Sequence, residues 1–86
     1  MGEMSRDELR AKLIEANPRA KLEIVERYLD AFTDYRTAQA NITEHGTIVF
    51  HPRTGAPIAN PYLAIRAGAT KEMDKCKLRA DALWTP

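Results

Sequence analysis

The clearest pattern in the chain is a series of apolar and aromatic positions that recur at helical spacing after residue 20. The series comprises Leu22, Val25, Tyr28, Leu29, Phe32, Tyr35 and Ile42. This spacing places the side chains on one face of an α-helix, with charged and polar residues on the other. Gly46 follows at a position where glycine commonly ends a helix. We therefore predict a long amphipathic helix over residues 18–46.

A shorter helical pattern precedes it. The segment Ser5–Glu8 has the spacing of a capping box, in which a serine side chain and a glutamate three residues later satisfy free amides at a helix start. The pattern ends at Asn17, because the residue before Pro18 avoids the helical conformation. Asn17 can also cap the long helix, with Pro18 in its first turn. These signals predict a short N-terminal helix within residues 1–17.

A third periodic pattern begins after Asn60 and Pro61, which repeat the cap-then-proline signal. Its apolar face comprises Tyr62, Ile65, Ala69, Met73, Cys76, Ala80 and Leu83. This periodicity predicts a continuous long helix over residues 61–84. Gly68 leaves an alternative open, in which the helix breaks, Thr70 caps a new helix and the segment forms a helix-turn-helix.

The segment between the two long helical patterns has β-strand character. Thr47–Phe50 is rich in β-branched and aromatic residues, Pro52–Gly55 supplies turn residues, and a second apolar run surrounds Ile58. We predict a small β-hairpin over residues 47–60, with the strand that contains Pro57 at an edge. Because a two-stranded ribbon alone is marginally stable, we expect it to pack on the helices or on a neighbouring chain.

The chain of 86 residues has the size of one small domain, and its composition, 44% hydrophobic and 29% charged, is typical of a folded protein. We predict a mainly α fold over residues 1–86, with a short N-terminal helix and two long antiparallel helices linked by a small β-hairpin. A fold this small leaves wide apolar helix faces partly uncovered, so we expect identical copies to associate. The residues assigned to the oligomer or partner interface are Tyr28, Phe32, Tyr35, Phe50, Ile58, Leu83 and Trp84.

The sequence favours a cytoplasmic protein without a membrane partner. A single cysteine, Cys76, cannot form an intramolecular disulfide, and the N-terminal residues lack the apolar core of a signal peptide. Charged or polar residues interrupt every apolar stretch before it reaches the roughly 20 residues needed to span a bilayer.

Catalytic and metal-binding patterns are lacking in the sequence. His45, His51 and Cys76 have no paired spacing of the kind that holds zinc. Asp30 and Asp34 lie one helical turn apart, but without a third ligand they are better explained as solvated surface carboxylates. We expect no enzyme activity, no metal and no cofactor.

Basic residues supply the candidate nucleic-acid contacts. Lys71, Lys75 and Arg79 are spaced to form a stripe on the last predicted helix, and Arg53 lies at the predicted hairpin tip. A stripe of this kind can follow a phosphate backbone. The alternative is a solvated helix face, partly paired with Glu72 and Asp74 on the same helix.

Three segments in this order resemble the small terminase subunit of tailed bacteriophages: Y-L-D-A-F-T-D-Y-R at 28–36, the stretch Glu44–Ile65, and E-M-D-K at 72–75. The most specific part is Gly46–Pro61 followed by an apolar helix. The resemblance covers residues 20–86, and the chain is shorter than typical family members, without their basic N-terminal extension.

The resemblance implies a non-enzymatic component of DNA packaging in an infected or lysogenic bacterial cell. Such subunits assemble into rings, bind duplex DNA at a packaging site and regulate the ATPase and nuclease of a large subunit. Two alternatives stay open. One is an adaptor from a phage satellite or mobile element that joins a full-length small subunit and redirects packaging, and the other is a small helix-turn-helix regulator.

Overall fold

Two long helices and the hairpin between them form the framework of the fold. The computed structural model describes residues 4–84, and the first three residues of the predicted 1–17 segment lie outside that range. The elements in chain order are α1 (Arg6–Ala16), α2 (Leu22–His45), β1 (Ile48–Phe50), β2 (Pro57–Ala59), α3 (Tyr62–Cys76) and α4 (Asp81–Trp84). The prediction of a mainly helical fold with a small antiparallel hairpin between long helices is confirmed.

The two long helices run antiparallel and pack along each other. Arg66 near the start of α3 donates to Gln39 in the second half of α2, whereas Glu72 further along α3 pairs with Arg27 near the start of α2. Gly46 ends α2 as predicted, with a φ of 84° and its N–H donating to the Ile42 carbonyl at 2.7 Å. Glycine tolerates this left-handed φ because it has no Cβ.

The start of α2 differs from the prediction. The helix begins at Leu22, and Lys21 precedes it without a side-chain cap. Asn17 follows the end of α1, where its Nδ2 donates to the Leu13 carbonyl and to the Arg79 carbonyl. The predicted capping of α2 by Asn17 is therefore wrong, because these bonds to α1 and to the C-terminal segment engage its side chain.

The last predicted helix is interrupted, but not at Gly68. Helix α3 runs through Gly68 and Thr70 without a turn, which contradicts the helix-turn-helix alternative. It ends at Cys76, and Lys77 adopts a left-handed conformation with a φ of 55°. The prediction of one helix over residues 61–84 is thus wrong, because the chain leaves the helix axis at Lys77 before α4 begins.

The hydrophobic core lies toward one end of the α2–α3 pair. Leu13, Val25 and Leu29 are its largest fully buried side chains. Around them pack Leu9, Tyr28, Ala31, Phe32, Met73, Cys76, Ala80 and Leu83, so α1, α2, α3 and α4 all contribute. The molecule is elongated, with extents of 50 × 30 × 17 Å. In residues 4–84, no helix combines the length and apolar character needed to cross a membrane.

Candidate nucleic-acid and partner interfaces

The hairpin is fastened to both long helices by one buried side chain, Asn60, which is 2% exposed. Its Nδ2 donates to Asn41 Oδ1 and to the Gly46 carbonyl, both at 2.9 Å. Its Oδ1 accepts the Tyr62 N–H at 2.9 Å. The sequence predicted Asn60 as the cap of α3, but the N-cap is Pro61, without a side-chain cap, and Asn60 lies one residue before it. The Asn-Pro signal carried no information about the bonds to α2.

The hairpin tip is held by His51. Its Nδ1 accepts the N–H groups of Arg53 at 3.1 Å and of Thr54 at 3.4 Å. Gly55 closes the turn with a φ of 70° and donates its N–H to the His51 carbonyl at 2.8 Å. These bonds place Arg53 at the tip, where it is exposed as the sequence indicated.

The two faces of the hairpin differ in exposure. Val49 and Ile58 are paired across the strands and half-buried. The opposite face is apolar and exposed, and it comprises Ile48, Phe50, Pro57 and Ala59. Phe50 is 71% exposed and Ile48 is 57% exposed. Phe50 and Ile58, two of the predicted interface residues, therefore lie on opposite faces.

The other predicted interface residues form an aromatic cluster around α4. Trp84 contacts Phe32 and Tyr35 edge to face, at centroid distances of 4.8 and 5.2 Å, and its Nε1 donates to the Tyr28 hydroxyl at 3.0 Å. Burial raises the pKa of Tyr28. Tyr28, Phe32 and Leu83 are all buried within this chain, so they are core residues here. Trp84 remains 46% exposed, and Tyr35 is half-buried.

The four predicted DNA-contacting residues do not form one patch. Lys71 and Lys75 are exposed one turn apart on α3, and exposed Arg79 lies in the linker before α4. Arg53 lies beyond the other end of α3, because β2 leads directly into Tyr62. The helix from Tyr62 to Lys75 alone separates these ends by about 20 Å.

The sequence analysis did not include Lys77 among the basic residues near the C-terminal end of α3. Lys77 is exposed at the point where the helix ends, between Lys75 and Arg79. None of Lys71, Lys75, Lys77 and Arg79 forms a salt bridge with another residue in the range 4–84. Glu72, considered above as a partner for these lysines, instead lies 3.6 Å from Arg27.

A separate charge cluster fastens α1 to α2. Glu26 accepts hydrogen bonds from Arg10 and Arg6, which lower the pKa of its carboxyl from 4.5 to about 2. Arg6 also lies 2.8 Å from Asp30, and Arg10 pairs with Asp7 within α1. These pairs were not predicted, because a single sequence does not indicate which face of α1 meets α2.

Within the described range, no group of three His, Cys, Asp or Glu side chains is arranged to hold a metal ion. Cys76 is buried, and burial raises the pKa of its thiol, which disfavours the reactive thiolate.

The fold and its surfaces are those of a small helical scaffold with an apolar hairpin at one end and exposed basic side chains at the other. The family model described as phage terminase, small subunit matches residues 7–79. Because the match covers most of the 86 residues, the chain belongs to the phage terminase small subunit family.

Membership in this family implies a role in phage DNA packaging. The small subunit is generally the non-catalytic component of the terminase. Searches of curated proteins and of solved structures gave no significant match.

Proposed function

We propose that this protein is a non-catalytic component of a phage packaging machine that binds duplex DNA at a packaging site and regulates the large terminase subunit. The family match over residues 7–79 carries the proposal. Its cellular location would be the cytoplasm of an infected or lysogenic bacterium. The family also favours self-association, including a ring of identical copies.

The DNA contact is proposed at the C-terminal end of α3. Lys71 and Lys75 share one helix face, and Lys77 and Arg79 continue the positive charge past the helix end. These four side chains lack salt-bridge partners among the described residues, so binding phosphate does not require breaking an internal pair. Arg53, at the opposite end of α3, is proposed as a separate contact and not as part of this cluster.

The salt dependence of duplex DNA binding tests this contact. For the variant Lys71→Ala/Lys75→Ala/Arg79→Ala, we expect weaker binding and a smaller slope of log K against log salt. Each lost phosphate contact lowers that slope by about 0.9 because fewer counterions are released. The matched control Lys71→Arg/Lys75→Arg/Arg79→Lys keeps every charge and should keep the slope. An alanine variant with unchanged affinity and slope would refute the proposed contact.

A second candidate function is that of an adaptor, supplied by a phage satellite or mobile element, which binds a phage small terminase subunit and redirects packaging. The exposed apolar face of the hairpin favours this alternative, because an uncovered apolar surface is typical of a protein interaction site. The two candidates differ in partner: the first requires viral DNA and the large subunit, and the second requires another small subunit.

A further inference from the structure

The linker between α3 and α4 carries two of the basic residues assigned to the proposed DNA contact. Lys77 and Arg79 are exposed, whereas Leu78 between them packs against the core and Ala80 after them is buried. The linker therefore has an apolar inner side and a basic outer side. Because it lies between two helices, no helical ladder of hydrogen bonds fixes the place of its charged side chains.

The backbone of Arg79 is held instead by the side chain of Asn17. Asn17 Oδ1 accepts the Arg79 N–H at 2.8 Å, and Asn17 Nδ2 donates to the Arg79 carbonyl at 2.7 Å. Bonds to both polar groups of one residue fix the position and the orientation of its backbone, as in a hydrogen-bonded pair of an antiparallel sheet. The end of α1 therefore determines where this part of the linker lies.

Asn17 is itself anchored to the core through Leu13. The side-chain Nδ2 and the backbone N–H of Asn17 both donate to the Leu13 carbonyl, at 2.9 Å each. The side chain of Leu13 is fully buried. A continuous series of contacts thus connects the core, through the last turn of α1, to the backbone of the exposed Arg79.

The backbone of Lys77 is strained. Its φ of 55° and ψ of 38° lie in the left-handed region, which a residue with a Cβ rarely adopts. Within residues 4–84, Lys77 is the only non-glycine residue with a positive φ. Such a conformation persists only where the surrounding structure holds it. Here the buried Cys76 lies on one side of Lys77, and the bonds between Asn17 and Arg79 lie on the other.

We propose that Asn17 is a positioning residue for the DNA contact, because it holds the basic linker in place before DNA binds. This inference rests on the proposed function, since it requires that Lys77 and Arg79 contact phosphate. A segment that is already ordered loses less conformational entropy on binding, so preorganisation raises affinity. Loss of the Asn17 bonds leaves every positive charge in the chain but adds the cost of ordering the linker to the cost of binding.

Duplex DNA binding by Asn17→Ala, measured as a function of salt, tests this role. We expect the affinity to fall about three- to tenfold, the effect of ordering one or two long side chains on binding. The slope of log K against log salt should stay at the wild-type value, because the phosphate contacts still form. The charge variant Lys77→Gly/Arg79→Ala should lower the affinity and also the slope, by about 0.9 for each lost contact. Glycine replaces Lys77 because it tolerates the left-handed backbone.

Two comparisons separate positioning from a general loss of stability. In the Lys77→Gly/Arg79→Ala background, Asn17→Ala should cause no further loss of affinity, because no charged linker is left to position. The matched control Glu26→Gln weakens the other attachment of α1 to the fold but leaves the Asn17 bonds in place. This control should not weaken DNA binding, and circular dichroism checks that every variant is folded at the temperature of the measurement.

Hydrogen exchange gives a readout that does not involve DNA. The Arg79 amide of the wild type should be protected although it lies between helices, and Asn17→Ala should remove that protection.

The positioning role is overturned if the wild-type Arg79 amide exchanges freely, or if Asn17→Ala binds DNA like the wild type. It is also overturned if Asn17→Ala weakens binding equally in both backgrounds, or if Glu26→Gln weakens binding as much. These results leave the DNA contact itself intact. If Lys77→Gly/Arg79→Ala binds DNA like the wild type, the linker contact of the proposed function is refuted, and the positioning role is refuted with it.

Discussion

Two asparagines each join segments that are far apart in the sequence. Asn60 connects the end of α2, the hairpin and the start of α3 through its side-chain amide. Asn17 connects α1 to the linker before α4, where it donates to the Arg79 carbonyl at 2.7 Å and accepts the Arg79 N–H at 2.8 Å. Each side chain therefore satisfies backbone groups at positions where regular secondary structure ends.

We predict that Asn60→Ala lowers the free energy of unfolding by roughly 2–4 kcal/mol, measured by urea denaturation, because the three hydrogen bonds of this buried side chain are lost, at about 1 kcal/mol each. Asn60→Asp should also destabilise, since it keeps the acceptor for Tyr62 but places a carboxylate oxygen against the Gly46 carbonyl. Asn41→Ala, which removes a single bond to Asn60, is the control and should cost less. Equal effects of Asn41→Ala and Asn60→Ala would argue against this role.

At the scale of the elements, α1 is held on α2 by apolar contacts and by charge. Leu9 and Leu13 insert into the core, and the carboxylate of Glu26 accepts from two arginines of α1. Because the folded state lowers the pKa of Glu26 to about 2, the ionised form is favoured when α1 is docked. The stabilisation is present above the unfolded pKa of 4.5 and is lost as the pH falls toward 2.

The melting temperatures of the wild type and of Glu26→Gln should therefore differ most at neutral pH, where the wild type is the more stable protein. Their melting temperatures should converge as the pH falls from about 4.5 toward 2, because Glu26 becomes protonated in both folded and unfolded chains. The wild type is the matched reference, since the two proteins differ only at position 26. A difference in melting temperature that stays constant over this pH range would contradict the account.

The elements that sequence reasoning predicted correctly depend on local signals. Gly46 ends α2, and the β-branched stretch, turn and Pro57 form the hairpin, because each signal acts on neighbouring residues. The break after Cys76 depends on long-range contacts, including the bonds between Asn17 and Arg79, which are 62 residues apart in sequence. A helical spacing alone does not reveal such a contact, so the apolar periodicity that continues to Leu83 predicted an unbroken helix.

The same distinction applies to the candidate interfaces. Phe50 and Arg53 are exposed because the hairpin extends from the helices. The sequence had predicted an interface position for Phe50 and a position at the hairpin tip for Arg53. The burial of Tyr28 and Phe32 depends on α4, which brings Trp84 back onto α2. The addition of Lys77 to the basic cluster likewise depends on where α3 ends.

At the scale of the whole molecule, the two candidate surfaces lie at opposite ends of α3. The apolar hairpin precedes the helix, and the basic side chains of Lys71, Lys75, Lys77 and Arg79 lie in its last turns or beyond it. In the proposed function, one end of this elongated molecule, with extents of 50 × 30 × 17 Å, would contact a protein while the other end binds DNA. This separation fits a component that links viral DNA to the packaging machinery.

The most direct test of this account is affinity purification of the tagged chain from phage-infected cells, with terminase subunits and viral DNA measured in the recovered material. We expect the wild type to recover the large terminase subunit together with viral DNA. The Lys71→Ala/Lys75→Ala/Arg79→Ala variant should recover less DNA and the same amount of protein partner. Recovery of another small subunit without the large subunit or DNA would favour the adaptor function. Recovery of neither a terminase subunit nor viral DNA above an untagged control would contradict a packaging role.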